Sequence, residues 1–303
     1  MPLDPRFTVN RVFYFRGGLL ITLAVQKSGR LAEKSLALLQ ECGVAFENSG
    51  KEKLIAAAAN FPLQLLFLRD DDIPECVADR IADIGLVGEN VVAETQREVE
   101  IIERLGFGRC RLSLALPKGM PYAGPADLQG KKIATSYPNI LGAFLKRHGV
   151  AAVIHEINGS VEIAPGIGLA EAIFDIVSTG STLMSNGLRE VEQVMTSEAV
   201  VITAPGPDPA KQRIIDQLLF RMRAVRKAGQ YKYILLNAPD DKIAEITALL
   251  PGMKSPTVMP LALPGWSSLH SVIREDLFWE IIEQLKQHGA EGILVIAIEK
   301  MID

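Results

Sequence analysis

EIAPGIGLAEAIFDIVSTGSTLMSNGL, residues Glu162–Leu188, joins a short apolar run to a run of small hydroxyl residues. Leu169–Ile173 reads as a helical segment leading into a strand at Phe174–Val177, after which come Ser178, Thr179, Gly180, Ser181 and Thr182. In such a run Gly180 permits dihedrals closed to other residues, so successive backbone N–H groups can turn toward one anion. The hydroxyls of Thr179, Ser181 and Thr182 add donors. A helix starting directly after it would add positive potential at its N-terminus. A polar strand-to-helix turn capped by Ser and Thr fits the same residues. Asp175, a carboxylate at the end of an apolar strand, suits ribose hydroxyls or a magnesium ion, and equally a helix or turn cap. No G-x-G-x-x-G or G-x-x-x-x-G-K-[ST] fingerprint stands in the right setting.

The same alternation of apolar strand, turn and amphipathic helix extends outward over the first two hundred residues, which predicts an α/β fold with mostly parallel strands between helices. Further strands are expected at Leu19–Val25, Leu63–Leu68, Ile84–Val87, Arg111–Leu116 and Lys132–Thr135. Leu31–Glu41 repeats its apolar positions at helical spacing and stops at Gly43, and Asp72 with Pro74 reads as another helix start. The turn-rich KGMPYAGPADLQGK, residues 118–131, suggests passage into a second lobe, and TAPGPDPAK, Thr203–Lys211, leads through a helix into a separate unit. From Tyr231 the order is strand, helix, strand, strand, helix, strand, which is ferredoxin-like. That last unit carries no nucleophile, base pair or metal cluster and reads as a regulatory or assembly module.

Composition narrows the class. The 303 residues are 48% hydrophobic and 22% charged, a balance suited to packed domains. A net charge of −4 excludes a diffuse basic field for nucleic acid or an acidic membrane, so any anion must be bound locally. Cys42, Cys76 and Cys110 are widely spaced and odd in number, as expected of reduced thiols in a cytoplasmic protein. His148, His155, His270 and His288 are equally scattered and read as surface or structural residues. No apolar stretch is long enough for a membrane helix, and LLITLAV near the start reads as the first strand, without a cleavage signal.

DIVSTGSTLMSNGLREVE, Asp175–Glu192, resembles the phosphoribosyl pyrophosphate loop of the ATP phosphoribosyltransferases, and NGSVEIAP, Asn158–Pro165, precedes it as in that family. QKSGRL (Gln26–Leu31), RDDDIP (Arg69–Pro74), DIGLVGENV (Asp83–Val91), GFGRCRLSLA (Gly106–Ala115), KKIATSYPN (Lys131–Asn139) and ILVIAIEKMI (Ile293–Ile302) agree in order, so the resemblance spans residues 20–303. It departs in two places. Residues before Leu19 have no counterpart, and Ile176 follows Asp175 where phosphoribosyl pyrophosphate loops usually carry two adjacent acids.

The resemblance implies two periplasmic-binding-protein-like lobes plus a C-terminal ferredoxin-like α+β regulatory domain. Lobe I would span 19–110, completed by about 196–225, lobe II 111–195, and the regulatory domain 226–303. It implies condensation of ATP with phosphoribosyl pyrophosphate, using Mg²⁺, at the first step of histidine biosynthesis, with histidine as feedback inhibitor and assembly into dimers and hexamers. Phosphoribosyl pyrophosphate would be held by Ser178–Thr182, Asp175 and Glu162, with Asp175 also the candidate metal ligand. ATP or pyrophosphate would meet Lys27, Arg30, Arg69, Glu89, Asn90, Arg111 and Tyr137, where solvated bases, an Arg69 pair with Asp70 or Asp71, and a packed aromatic are the competing roles. Ser255 and Thr257 would contact histidine, or simply start a strand. No nucleophile or base is nominated. From another class, a two-lobed solute-binding or effector-sensing protein without catalysis shares the lobes and predicts export or a DNA-binding partner domain.

Overall fold

The computed structural model describes residues 14–15, 18–46, 54–250, 252 and 255–302. The expectation of an unmatched N-terminal extension falls largely outside them. After a hairpin of β1 (Tyr14–Phe15) and β2 (Gly18–Leu19), the chain builds a first layer from β3 (Ile21–Gln26), α1 (Arg30–Glu41), β4 (Ile55–Ala57), β5 (Leu63–Leu68), α2 (Asp72–Ala78), β6 (Ile84–Gly88), α3 (Glu89–Thr95) and β7 (Glu100–Arg104). A second layer follows with β8 (Cys110–Pro117), β9 (Lys132–Thr135), α4 (Pro138–Arg147), β10 (Val153–Glu156), β11 (Ala172–Val177), α5 (Ser181–Ser185) and β12 (Leu188–Ser197). Then come β13 (Ala199–Thr203), α6 (Pro209–Ala228), β14 (Tyr231–Pro239), α7 (Ile243–Leu249), β15 (Thr257–Pro260), β16 (Trp266–Arg274), α8 (Glu275–Gln287) and β17 (Glu291–Ala297).

Two compact units divide the chain, residues 1–216 and 217–303. The first holds a six-stranded sheet, order β4-β5-β3-β6-β13-β7, and a five-stranded sheet, order β10-β9-β11-β8-β12. Both contain a parallel block, β5-β3-β6 within the first sheet and β10-β9-β11 at one edge of the second, extended by antiparallel strands. The sheets are therefore mixed rather than mostly parallel. Apart from β4 at the edge of the first sheet, the antiparallel pairings involve the strands next to the two crossings between layers. β8 enters the second sheet straight after β7, and β13 returns to the first straight after β12. Passage thus falls at residues 105–109 and at Glu198, while the turn-rich 118–131 links β8 to β9 inside the second layer.

Ile21–Val25 is buried at every position, with α1 and α2 packed against β3, and so reads as a nearly unbroken apolar run. Leu112, Leu114, Phe174 and Phe144 close the core of the second layer. Leu169–Ile173, expected to be helical, instead ends a series of turns and enters β11 at Ala172. Pro165, Gly166 and Gly168 break the helix, and pairing of Ala172 with Ile133 secures the strand. Short elements without strong periodicity were not anticipated, among them β4, β7, β10 and α3.

The second unit has the strand order β15-β16-β14-β17, all antiparallel, with α7 and α8 packed on one face through Ile246, Phe278 and Leu285. This is the ferredoxin-like arrangement read from the sequence.

Candidate active site

Both sheets of the first unit contribute to two adjoining cavities, built where strands end and loops begin. The smaller, about 240 Å³, is lined by Asp175, Ser178, Thr179, Gly180, Ser181 and Thr182 from the second layer, by Glu162 beside them, and by Arg30 from the first. The larger, about 390 Å³, shares Arg30, Ile176 and Ser178 and adds Lys34, Asp70, Asn90, Arg109 and Tyr137.

The hydroxyl turn follows β11 directly. Gly180 takes φ 81°, in the left-handed region where a side chain would strain the backbone, and α5 begins at the next residue. The Thr179 and Ser181 hydroxyls stand 3.0 Å apart, and the rest of the turn is open to solvent. Asp175 is largely enclosed. Burial raises its carboxyl from 3.8 to about 6, against the Ile176 backbone N–H and with help from the nearby Glu162 charge. Two carboxylates therefore converge on the cavity that the hydroxyl turn lines.

Asn90 is only 5% exposed. Its backbone N–H donates to Ser197 Oγ at 3.0 Å, its Oδ1 accepts from the same hydroxyl at 2.8 Å, and its Nδ2 donates to Tyr137 Oη at 3.4 Å. The side chain folds back over Gly88, where a Cβ would lie 2.4 Å from Asn90 Oδ1, so a larger residue there would have to displace the Asn90 amide from Ser197. Burial, then the charges of Asp175 and Asp70, push the Tyr137 phenol far above its ordinary value and keep it a neutral donor. The Cys110 thiol is likewise raised by burial, with Ser197 opposing.

Of the residues nominated from sequence, Glu162, Asp175, Ser178, Thr179, Gly180, Ser181, Thr182, Arg30, Asn90 and Tyr137 line these cavities. Lys27, Arg69, Glu89 and Arg111 do not. Lys27 and Arg69 are exposed on neighbouring loops, Glu89 pairs with Arg104, and Arg111 is held by Glu190. Ser255 and Thr257 lie exposed in the second unit. Lys34, Asp70 and Arg109 were missed. Lys34 follows Arg30 by four residues in α1, a spacing that sets both on one helix face and was available in the sequence.

The family model described as ATP phosphoribosyltransferase matches residues 69–224, and the one described as HisG, C-terminal domain, matches 228–300. The chain belongs to the ATP phosphoribosyltransferase family. It is 58% identical over 283 residues to the ATP phosphoribosyltransferase of Cytophaga hutchinsonii, covering 93% of this chain and 99% of the relative. Identity is also 58% with that of Bacteroides fragilis, covering 93% and 100%. Among solved structures, the ATP phosphoribosyl transferase (HisG:HisZ) complex from Thermotoga maritima aligns with TM-score 0.60 and 28% identity, over 67% of this chain and 97% of that one. The family's two-sheet catalytic fold and separate C-terminal sheet domain are thus both present, and no helix among the described residues is long and apolar enough to cross a membrane.

Proposed function

We propose that this cleft transfers the phosphoribosyl group of phosphoribosyl pyrophosphate to N1 of the adenine of ATP, releasing pyrophosphate, as the first step of histidine biosynthesis. The observation that carries the reading is the joining of the two cavities at Arg30, Ile176 and Ser178. An anion-binding turn with two carboxylates lies on one side, and a larger recess with an apolar wall on the other.

In this reading Ser178–Thr182 hold the 5′-phosphate, and Asp175 with Glu162 receive the ribose hydroxyls. Asn90 and Tyr137 border adenine, while Arg30, Lys34 and Arg109 supply cations for the triphosphate or the departing pyrophosphate. Lys27 and Arg69 would join them only by side-chain movement from the adjacent loops. The C–O bond to pyrophosphate breaks as the N1–C bond forms, so no covalent enzyme intermediate is required. Catalysis comes from holding N1 in line with the anomeric carbon and from stabilising the leaving charge.

Mg²⁺ fits this site as a substrate-borne ion. Among the described residues no cluster of three His, Cys, Asp or Glu could hold a metal alone. Asp175 and Glu162 nevertheless face one cavity, and Mg²⁺ is commonly held by one or two carboxylates together with substrate phosphates. When bound, it would neutralise charge on the pyrophosphate.

We further assign the lobes to about 19–110 with 196–225 and to 111–195, and the segment 226–303 to regulation by histidine, in a cytoplasmic protein that assembles as dimers and hexamers. The family model matched at 228–300 supports the last domain. The test of function is direct: folded protein given ATP, phosphoribosyl pyrophosphate and Mg²⁺ should form phosphoribosyl-ATP. Absence of that product, with either substrate still bound, would restore the non-catalytic sensing alternative.

A further inference from the structure

Arg111 stands beside the hydroxyl turn, yet its guanidinium is already engaged. Nε and Nη2 donate to the two carboxylate oxygens of Glu190, each at 2.5 Å, while Nη1 donates to the Ser178 carbonyl at 3.1 Å. The Ser113 hydroxyl donates to the same carboxylate at 2.7 Å. These groups come from three neighbouring strands, Glu190 from β12, Arg111 and Ser113 from β8, and Ser178 from the end of β11. The fork-on-carboxylate geometry is the most directional an ion pair can have, and it leaves Arg111 out of the lining of both cavities.

We infer that Arg111, Glu190 and Ser113 form a positioning strut that sets the backbone of the Ser178–Thr182 turn, and that Arg111 is not itself a phosphate ligand. The inference rests on the phosphoribosyl-transfer reading of that turn. Its physical basis is the planarity of the peptide unit. Within one trans peptide the C=O and the following N–H point to opposite sides, so pinning the Ser178 carbonyl to Arg111 fixes where the Thr179 N–H is aimed. The charges cancel locally, and the strut therefore acts through geometry rather than through attraction. Displacing a substrate-holding loop by about 1 Å costs up to about a hundredfold in rate.

The test compares Arg111→Lys and Glu190→Gln in the full chain, with Tyr122→Phe as a control that severs another bond to a β12 carboxylate, from the loop after β8 to Glu192. Both strut variants should raise the KM for phosphoribosyl pyrophosphate on the order of tenfold and leave the KM for ATP within about twofold. Both should also speed hydrogen–deuterium exchange at residues 178–183 of ligand-free enzyme, and the control should do neither. If Arg111 binds phosphate instead, Glu190→Gln frees it, and the KM falls or holds while Arg111→Lys raises it. That result, unchanged exchange in both variants, or equal effects on the two substrates overturns the strut. Wild-type protein that makes no phosphoribosyl-ATP would defeat the functional reading, and the exchange comparison would still judge the strut on its own.

Discussion

The Glu94 carboxylate, near the end of α3 in the first layer, accepts the backbone N–H of Asn139 at 2.8 Å, in the first turn of α4 in the second layer. Its other oxygen accepts the Ile140 N–H at 3.0 Å, and the Asn139 side chain returns a bond to the Glu94 carbonyl at 2.9 Å. Pro138 at the first helical position has no N–H, and the next two N–H groups, which the start of a helix leaves without a partner inside it, are thus capped from the opposite lobe.

Glu94→Ala should therefore loosen the approach of the lobes. Burial raises the Glu94 carboxyl more than the two N–H groups lower it, with Glu156 and Asp71 adding repulsion, so the charged cap is held at some cost. Its removal should lower the melting temperature by only a few degrees, corresponding to about 1 kcal/mol. The KM values for both substrates should rise together, several-fold, because lobe closure serves both. An effect on one substrate alone would show that Glu94 acts within a single subsite.

This clasp marks where sequence reading stops. Strands such as Leu63–Leu68 and Lys132–Thr135 were legible because burial on both faces leaves an apolar run with turn residues at its ends. The hydroxyl turn was legible because Gly180 needs a left-handed φ and its neighbours are small donors. Glu94 was not. Nothing local distinguishes a glutamate that caps its own helix from one that caps a helix forty-five residues away, and only packing brings α3 to α4. Arg111 misleads in the opposite direction: beside Arg109 in GFGRCRLSLA it reads as an anion ligand, and only the pairing of β8 with β12 shows Glu190 as its partner.

Asp175 gives a pH dependence with a defined sign. Its folded value, about 6, lies above the ordinary 3.8, so the native state holds the proton more tightly than the unfolded chain. Its cost to stability is absent below 3.8, grows between 3.8 and about 6, and is constant above that. Asp175→Asn should accordingly stabilise ligand-free enzyme above about pH 7 by up to about 3 kcal/mol, while weakening phosphoribosyl pyrophosphate binding. In the wild type, the KM for that substrate should climb as pH falls through about 6, since a protonated acid accepts fewer ribose hydroxyls. A flat profile between about pH 5 and 7.5 would separate Asp175 from the sugar.

Thr179→Ala with Thr182→Ala removes two hydroxyls from the turn without touching its backbone donors. One of them stands 3.0 Å from the Ser181 hydroxyl, which remains to serve the phosphate. The KM for phosphoribosyl pyrophosphate should rise by about tenfold or more, consistent with roughly 1.5–3 kcal/mol for a hydrogen bond to a charged group. The KM for ATP should stay within about twofold. Equal changes in both would remove the phosphate from this turn.

The regulatory assignment makes the last prediction. Ser255, just before β15, and Thr257, at its start, are exposed, and the Ser255 hydroxyl makes a long 3.4 Å contact with the Pro256 carbonyl, so both can turn to an amino or carboxylate group. Ser255→Ala with Thr257→Ala, in the full chain, should leave kcat and both KM values unchanged when histidine is absent, because neither residue lines the catalytic cavities. The histidine concentration for half-inhibition should rise about tenfold, the equivalent of roughly 1.4 kcal/mol of effector binding. Because coupling is reciprocal, saturating substrate should weaken histidine binding in the wild type by the same factor by which histidine weakens substrate binding. Calorimetric titration of histidine with and without phosphoribosyl pyrophosphate measures the first factor, and titration of phosphoribosyl pyrophosphate with and without histidine measures the second. Undiminished inhibition in the double variant would move the effector site to other residues.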